Sequence, residues 1–218
     1  MSQIAFYILS DVHGFIFPTD FSSRGKDLPM GLLKANHLIE QDCVHYDDSV
    51  KIDNGDFLQG SPLCNYLVSK LKSSLPLTSI YNRLGFDFGT VGNHEFNYDL
   101  PYLKQAINQL HYPVLCANII ENTQPVTGQG IHYFKVNGLT IGTIGLTTQY
   151  IPHWEQPEYI KTLTFNSAVQ TLKSELPTLR EKSDIVVVSY HGGLERDLDS
   201  GIPTEALTGE NLSLIHIS

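Results

Sequence analysis

One stretch of the sequence decides the fold: Ser49-Val-Lys-Ile-Asp53-Asn54-Gly55-Asp56-Phe57-Leu58-Gln59-Gly60-Ser61-Pro62. Its first residues are mainly apolar and β-branched, and they predict a buried strand. The polar run Asn54-Gly55-Asp56 predicts a loop, and Pro62 suits the first turn of a helix. A strand, a polar loop and a helix in this order are the repeating unit of an α/β protein with parallel strands.

The same order recurs on both sides of this stretch. Strands are predicted at Ile4–Leu9, at residues 86–91 and at residues 185–189. Each of them ends in a polar loop, and these loops read Asp11-Val-His13-Gly14, Gly92-Asn93-His94-Glu95 and Tyr190-His191-Gly192-Gly193. In a layered α/β fold, loops at the carboxyl ends of strands carry the functional groups.

Helices are predicted between these strands, at residues 31–41, 62–72, 77–84 and 165–181, and from about Asp99 and Pro101 onwards. The first of them should bury a face made of Leu32, Ala35, Leu38 and Ile39. A short strand is predicted at residues 114–117. Asn137-Gly138 predicts a tight hairpin between residues 131–136 and 139–146.

Composition limits the class of protein. The chain has 218 residues, 24.4 kDa, 41% hydrophobic residues and a net charge of −9, which suits one domain with a sizeable core. The acidic balance argues against a dedicated DNA or RNA binder. No apolar run reaches the roughly 20 residues of a membrane span, and the first residues do not resemble a signal peptide, so we expect a cytoplasmic protein. Three widely spaced cysteines, Cys43, Cys64 and Cys116, predict free thiols.

The strand ends supply one kind of chemistry. Asp11 and His13 follow the first strand, Asp56 follows the second, Asn93 and His94 follow the third, and His191 follows the last. Carboxylate, amide oxygen and imidazole groups suit zinc, manganese or iron. Two such ions about 3.5 to 4 Å apart can clamp the attacking and leaving oxygens of a phosphoryl transfer.

These motifs, in this order, resemble those of the calcineurin-like metallophosphoesterases. The longer strings, residues 53–62 and Gly92-Asn93-His94-Glu95-Phe96-Asn97-Tyr98, are similar to the branch of 5′-nucleotidases and 2′,3′-cyclic-nucleotide phosphodiesterases. The resemblance covers about residues 4–211. It implies a fold of β-sheets flanked by helices, two divalent metal ions (manganese, zinc, iron or similar), a nucleotide substrate and hydrolysis by a metal-activated hydroxide.

The resemblance also implies a role for each matching residue. Asp11 and His13 would bind the first metal, Asp56 would bridge the two metals, and Asn93 and His191 would bind the second. His94 would not be a ligand. It would stabilise charge on the transferring phosphoryl group and protonate the leaving oxygen.

The residue at position 97 departs from one branch of the family. Many 5′-nucleotidases have an aspartate there that orients the catalytic histidine, whereas this chain has Asn97. Asn97-Tyr98 is more similar to the cyclic-phosphodiesterase and 3′-nucleotidase subgroup. We therefore expect 2′,3′-cyclic nucleotides and 3′-nucleotides as substrates, with 5′-nucleotides or nucleotide sugars as the alternative. Glu95 or Asp99 are the candidates to supply the missing charge.

A second departure concerns the end of the sequence. The family's final Gly-His-x-His or Gly-His-x-Gln motif is absent, and the only histidine after His191 is His216. We expect residues 1–211 to be an incomplete N-terminal metallophosphoesterase domain without the C-terminal nucleotide-specificity domain. Residues 212–218 match a translated transposon adaptor and are expected to be a non-native tail. A second hypothesis is therefore a non-catalytic fragment that at best binds metal.

Overall fold

A four-stranded parallel sheet organises the first half of the chain. The computed structural model describes residues 3–19, 26–197, 199–204 and 211. The strands lie in the order β1 (Ile4–Leu9), β2 (Asp48–Asp53), β3 (Phe88–Thr90) and β4 (Val114–Leu115). Parallel neighbours require crossover connections. Helices supply them, namely α1 (Leu32–Asp42), α2 (Pro62–Tyr66), α3 (Leu75–Tyr81) and α4 (Leu100–Gln109).

A second sheet is built from the later part of the chain. Its order is β10 (Ile185–His191), β8 (Leu139–Thr147) and β7 (Ile131–Val136), with β10 parallel and β7 antiparallel to β8. The helix α6 (Ala168–Lys182) connects β8 to β10. The hairpin between β7 and β8 turns at Asn137 and Gly138, whose φ angles of 50° and 82° fit the predicted tight turn.

A small antiparallel sheet combines strands from before β7 and from after β8. It contains β5 (Ile119–Glu121), β6 (Gln124–Pro125) and β9 (Leu163–Phe165) in the order β6-β5-β9. The four-residue helix α5 (Pro157–Ile160) precedes β9, and single 3₁₀ turns form at Cys43–His45, His94–Phe96 and Ile151–His153.

Three clusters of buried side chains separate the layers. The first sheet packs on α2, α3 and α4 through residues such as Cys64, Leu77 and Leu103. The two main sheets face each other through a second cluster that includes Phe88 and Ile141, and β8 packs on α6 through a third. The layers therefore run helix, sheet, sheet, helix. This confirms the predicted layered α/β fold with parallel strands.

Two details of the sequence prediction are wrong. Residues 163–165 form β9, whereas the helix was predicted to start at Phe165. Phe165 pairs with Ile119, and the helix begins only after Ser167, whose side chain accepts a hydrogen bond from the Gln170 amide. In α1, Leu32 and Ile39 are buried as expected, but Leu38 is 60% exposed.

His216 and residues 212–218 lie outside the described residues. Within the residues that are described, no helix has the length and apolar character needed to cross a membrane. The cytoplasmic location stays a prediction. All three cysteines are free thiols, as predicted.

Candidate metal centre

The predicted site residues meet at one end of the two main sheets. Asp11 follows β1, Asp56 follows β2, Asn93 follows β3, and His191 is the last residue of β10. Asp11, Asn93 and His191 line one polar cleft of about 280 Å³. Because the carboxyl ends of these strands lie together, residues up to 180 positions apart in sequence become neighbours in space.

The backbone adopts an uncommon conformation at three of the predicted ligands. Asp11, His13 and Asp56 have φ angles of 57°, 50° and 60°, in the left-handed region. Non-glycine residues seldom adopt this region, and where they do, the strain is often found at functional sites. Two backbone hydrogen bonds hold the loops together: Asp11 N donates to Gly55 O at 3.1 Å and His13 N to Asp56 O at 2.8 Å.

Two groups of side chains have the spacing of metal ligands, and Asp56 belongs to both. One group is His13, Asp56 and His94, and the other is Asp11, Asp56 and His191. Within each group the potential ligand atoms all lie within 4.8 Å of one another. The carboxylate of Asp56 is almost completely buried between them. This is the position that a bridging carboxylate requires.

Two histidines are oriented by backbone carbonyls. The Nδ1 of His13 lies 2.9 Å from Gln59 O, and that of His191 lies 2.5 Å from Asn54 O. A carbonyl oxygen only accepts, so each Nδ1 carries the hydrogen and each Nε2 is directed to the site. The Nε2 of His13 is 3.8 Å from Asp11 Oδ1 and 3.9 Å from Asp56 Oδ2, and that of His191 is 3.2 Å from Asp56 Oδ2.

Charge complementarity dominates the pair formed by Asp56 and His191. Burial lowers the pKa of His191, but the hydrogen bond and charge of Asp56 outweigh it and raise that pKa to about 9. For Asp56 the effect of burial is to raise the pKa. The hydrogen bond and charge of His191 outweigh burial and hold the pKa of Asp56 below its usual value. The site therefore stabilises a negative carboxylate that can meet a cation.

Asn54 joins the two sheets at this point. Its side-chain oxygen accepts from Ser189 Oγ at 2.7 Å, and its side-chain nitrogen donates to Tyr190 O at 3.3 Å. Together with the bond between its backbone carbonyl and His191, these contacts attach the end of β10 to the loop after β2. We call this set of contacts the Asn54 clasp.

Glu95 shapes the loop that carries Asp56. Its fully buried carboxylate accepts hydrogen bonds from four backbone amides, at 2.6 to 3.1 Å; the donors are Asp56 N, Phe57 N, Leu58 N and Gly92 N. Burial and the nearby Asp56 raise the pKa of Glu95, and the amide hydrogen bonds oppose this. The carboxylate is thus committed to the backbone, so it is not available to orient His94.

Two glycines of the motifs are required by close packing. A Cβ atom on Gly92 would lie 2.2 Å from Asp56 Oδ1, and one on Gly60 would lie 2.6 Å from the Cβ of His13. Both distances are shorter than real Cβ contacts allow. A side chain at either position would therefore displace a predicted ligand.

The ring of His94 is held by its neighbour Asn97. The Nδ1 of His94 lies 2.6 Å from Asn97 Oδ1, and the other amide atom of Asn97, Nδ2, donates to Glu155 Oε1. The backbone amide of His94 donates to Asp56 Oδ1 at 2.8 Å. Asp99, the other residue expected to supply charge, uses its carboxylate to accept from Tyr102 N at 2.9 Å. Glu155 therefore occupies the position for which the sequence suggested Glu95 or Asp99.

Comparison with known proteins identifies the family of the chain. The sequence matches the calcineurin-like phosphoesterase family over residues 4–213. The chain belongs to this family. A 2′,3′-cyclic-nucleotide 2′-phosphodiesterase/3′-nucleotidase of Salmonella typhimurium is 34% identical over 202 residues, which cover 86% of this chain and 31% of that protein. The counterpart in Haemophilus influenzae is 31% identical and covers 84% and 30%.

A solved structure is also similar to this phosphoesterase chain. A Staphylococcus aureus protein provisionally named a 5′-nucleotidase, solved with α-ketoglutarate, is 64% identical with a TM-score of 0.91. The match covers 95% of this chain and 41% of that protein. The phosphoesterase chain spans about a third of the length of the two curated relatives named above.

The donor set of this phosphoesterase suits two divalent ions. Carboxylate oxygens and imidazole nitrogens converge from four strand ends, and the two groups share one buried carboxylate. This chemistry fits ions of borderline hardness, such as zinc, manganese or iron. Asp11 falls in the group of His191, although the sequence paired it with His13, and His94 falls within reach of His13 and Asp56. The division of the proposed ligands between two ions stays a prediction. The assignment of His94 as a residue that does not bind metal also stays a prediction.

Sequence reasoning missed three residues that orient the site. Gln59 and Asn54 orient the rings of His13 and His191 through backbone carbonyls, which no side-chain pattern marks. Glu155 stands between β8 and α5, in a segment that carries none of the motifs. The sequence contains only an indirect signal for Glu155. Because residue 97 is an asparagine, the expected negative charge near His94 must come from another residue.

Proposed function

We propose that this chain carries the metal-binding and catalytic groups of a nucleotide phosphoesterase acting on 2′,3′-cyclic nucleotides and 3′-nucleotides. The observation that carries the proposal is the convergence of two ligand groups on the buried carboxylate of Asp56, with His94 beside them. A phosphoester is anionic, and a site that accumulates cations at the end of two sheets favours such a substrate despite the net charge of −9.

The preference among nucleotides rests on two kinds of support. The sequence Asn97-Tyr98 is similar to that of the cyclic-phosphodiesterase and 3′-nucleotidase subgroup. The Salmonella typhimurium and Haemophilus influenzae relatives are named for this activity. A 5′-nucleotidase is the second candidate, because the Staphylococcus aureus protein, with 64% identity, is named in that way.

Each residue has a role in the proposed hydrolysis. Two divalent ions bound by Asp11, His13, Asp56, Asn93 and His191 would supply Lewis acidity at phosphorus and an acidified water. His13 and His191 keep their Nε2 atoms directed to the site because their Nδ1 atoms donate to carbonyls. His94 donates its Nδ1–H to Asn97; in its protonated form it would also donate through Nε2–H to the phosphoryl oxygens and transfer that proton to the leaving oxygen.

Two substitutions test these roles. Asp56→Asn removes the shared negative charge, and we expect loss of bound metal and of nearly all activity. His94→Ala should keep the metal but lower kcat by about 10² to 10⁴-fold, the usual contribution of a general acid. Metal content by elemental analysis and turnover of 3′-AMP measure both effects.

Asp48→Asn is the matched control. Asp48 is exposed at the other end of β2, so the same change of charge should leave metal and turnover unaltered. If His94→Ala hydrolysed nucleotides at the parental rate, the role of His94 would be wrong.

The substrate class is tested by comparing 2′,3′-cyclic AMP, 3′-AMP and 5′-AMP with manganese and with a chelator. If 2′,3′-cyclic AMP and 3′-AMP are hydrolysed and the chelator abolishes this turnover, the proposal is supported. Turnover of 5′-AMP alone supports a 5′-nucleotidase. Metal binding without turnover of any of them supports the second sequence hypothesis, a chain that is not catalytic by itself.

A further inference from the structure

We propose that Glu155 is a positioning residue that holds the amide of Asn97 and, through it, the ring of His94. The inference deepens the proposed function and rests on it. Three groups form a chain of hydrogen bonds, from His94 Nδ1 to Asn97 Oδ1 and from Asn97 Nδ2 to Glu155 Oε1. The three residues come from two segments that are 58 positions apart in sequence.

The direction of each hydrogen bond follows from the chemistry of its groups. An ionised carboxylate only accepts, so it requires the NH₂ of Asn97 on its side. The carbonyl oxygen of the same amide must then face His94. An oxygen only accepts, and therefore the Nδ1 of His94 must carry the hydrogen. The charge of Glu155 thus determines the tautomer of a ring that it does not touch.

The location of Glu155 suits this role. Its backbone amide donates to Ile151 O at 3.0 Å, directly after the 3₁₀ turn Ile151–His153, so the main chain that carries it is fixed. The side chain is half-buried, and burial raises its pKa, while the hydrogen bond from Asn97 and the nearby His94 lower it. The net pKa lies above the usual value of a glutamate, and the groups that Glu155 orients are the ones that oppose the effect of burial.

The amide also transmits charge. A hydrogen bond to a carboxylate polarises the amide, which makes its oxygen a stronger acceptor for the imidazole hydrogen. An aspartate at position 97 would supply the charge directly. In this chain the charge belongs to Glu155, and the amide of Asn97 connects Glu155 to His94.

Two variants test the proposal by kinetics. Glu155→Gln removes the charge and allows the amide of Asn97 to reverse, so we expect kcat for 3′-AMP to fall by about 10 to 100-fold with little change in KM. The double variant Asn97→Asp with Glu155→Gln exchanges carboxylate and amide. It restores an acceptor of Nδ1–H and should recover kcat to within a few-fold of the parent. Losses that simply add in the double variant would overturn the proposal.

The leaving group separates positioning from general damage. The ribose oxygen of 3′-AMP needs a proton as it leaves, whereas the phenolate of p-nitrophenyl phosphate is stable without one. Glu155→Gln should therefore lower turnover of 3′-AMP far more than that of the aryl phosphate. Glu158→Gln, an exposed change three residues further along in α5, should alter neither. An equal loss on both substrates, or no loss on either, contradicts the proposed role.

A spectroscopic measurement keeps the inference testable even if the proposed function fails. Imidazole ¹⁵N NMR on the metal-free chain reports which nitrogen of neutral His94 carries the hydrogen, with His94→Ala to assign the signal. The parent and the exchanged double variant should show the Nδ1–H tautomer, and Glu155→Gln should shift the population to Nε2–H. An unchanged tautomer in Glu155→Gln would refute the inference, whatever the substrate proves to be.

Discussion

Asp53 is a buried carboxyl group three residues before Asp56. Its side chain accepts from Tyr112 Oη at 2.8 Å and from Gly55 N at 3.3 Å. Burial raises the pKa of Asp53 to about 7, and the charge of Glu95 adds to this, while the bonds from Tyr112 and Gly55 oppose it. The neutral form is thus preferred in the folded chain well above the usual range of an aspartate.

This preference predicts a pH dependence of stability. Between about pH 4 and pH 7 the folded state holds a proton that the unfolded state has lost, so the free energy of unfolding falls as pH rises through that window. The contribution is about 1.4 kcal/mol for each unit of pKa difference. Asp53→Asn cannot ionise, so urea unfolding of this variant from pH 4.5 to 8 should show a shallower fall.

Tyr112→Phe provides the comparison. It removes a hydrogen bond that favours the ionised form, so Asp53 should keep a raised pKa and the fall in stability with pH should persist. If the parent and Asp53→Asn showed the same slope, the carboxyl group would not titrate in this window.

The convergence of the proposed ligands could be predicted from the sequence because each follows a recognisable strand in a short motif. Asp11, His13, Asp56, Asn93 and His191 all lie at one edge of the sheets. Glu155 could not be predicted, because its partner Asn97 is 58 residues away and the contact depends on how the loop after β8 folds back. Linear spacing carries no information on such a contact.

At the level of elements, α4 begins where the His94 loop ends. Asp99 is its N-cap, with Oδ1 2.9 Å from Tyr102 N, and Pro101 lies in the first turn. An aspartate at this position satisfies an amide that has no partner within the helix and interacts favourably with the helix dipole. The sequence predicted this start correctly.

Removing this cap should destabilise the chain without changing catalysis. Asp99→Ala should lower the free energy of unfolding by about 0.5 to 2 kcal/mol, measured by urea denaturation. Asp99→Asn keeps an oxygen acceptor and should lose less. Both variants should retain the parental kcat for 3′-AMP. A loss of kcat in the more stable Asp99→Asn would instead indicate that Asp99 acts on His94.

The start of α6 shows where local pattern was insufficient. Phe165 is apolar and continues the helical periodicity, so the pattern extended the helix too far toward its N-terminus. In the structure its backbone pairs with Ile119, and its ring lies 6.1 Å from that of Phe96. A tertiary pairing of β9 with β5 prevailed over local preference, and a strand of three residues is too short to be identified from sequence.

At the scale of the whole molecule, the site depends on the packing of two sheets. The loops after β1, β2 and β3 supply Asp11, His13, Asp56 and Asn93, while His191 comes from β10 in the second sheet. The sequence predicted parallel strands and layers. It did not predict that the two sheets would pack face to face through Phe88, Leu115 and Ile141. The apolar side chains of a buried strand do not indicate which other strand or helix they will pack against.

The contact between the sheets can be weakened at Phe88. This side chain is fully buried, and its ring lies 6.1 Å from that of Phe134 on β7. Phe88→Ala should lower the free energy of unfolding by about 3 to 5 kcal/mol. Leu38→Ala, on the exposed face of α1, should change it by less than about 0.5 kcal/mol. Similar unfolding midpoints for the two variants would contradict the assigned packing.

The Asn54 clasp has a consequence for the order in which the protein is assembled. It joins residues 135 to 137 positions apart, whereas β1 to β4 and their helices are complete by Leu115. Chains emerge from the ribosome with the N-terminus first. A nascent chain therefore presents Asp11, His13, Asp56 and Asn93 for many seconds of translation before His191 exists. The full set of proposed ligands exists only after β10 has been synthesised and docked, so we expect complete metal binding to be a late event in biogenesis.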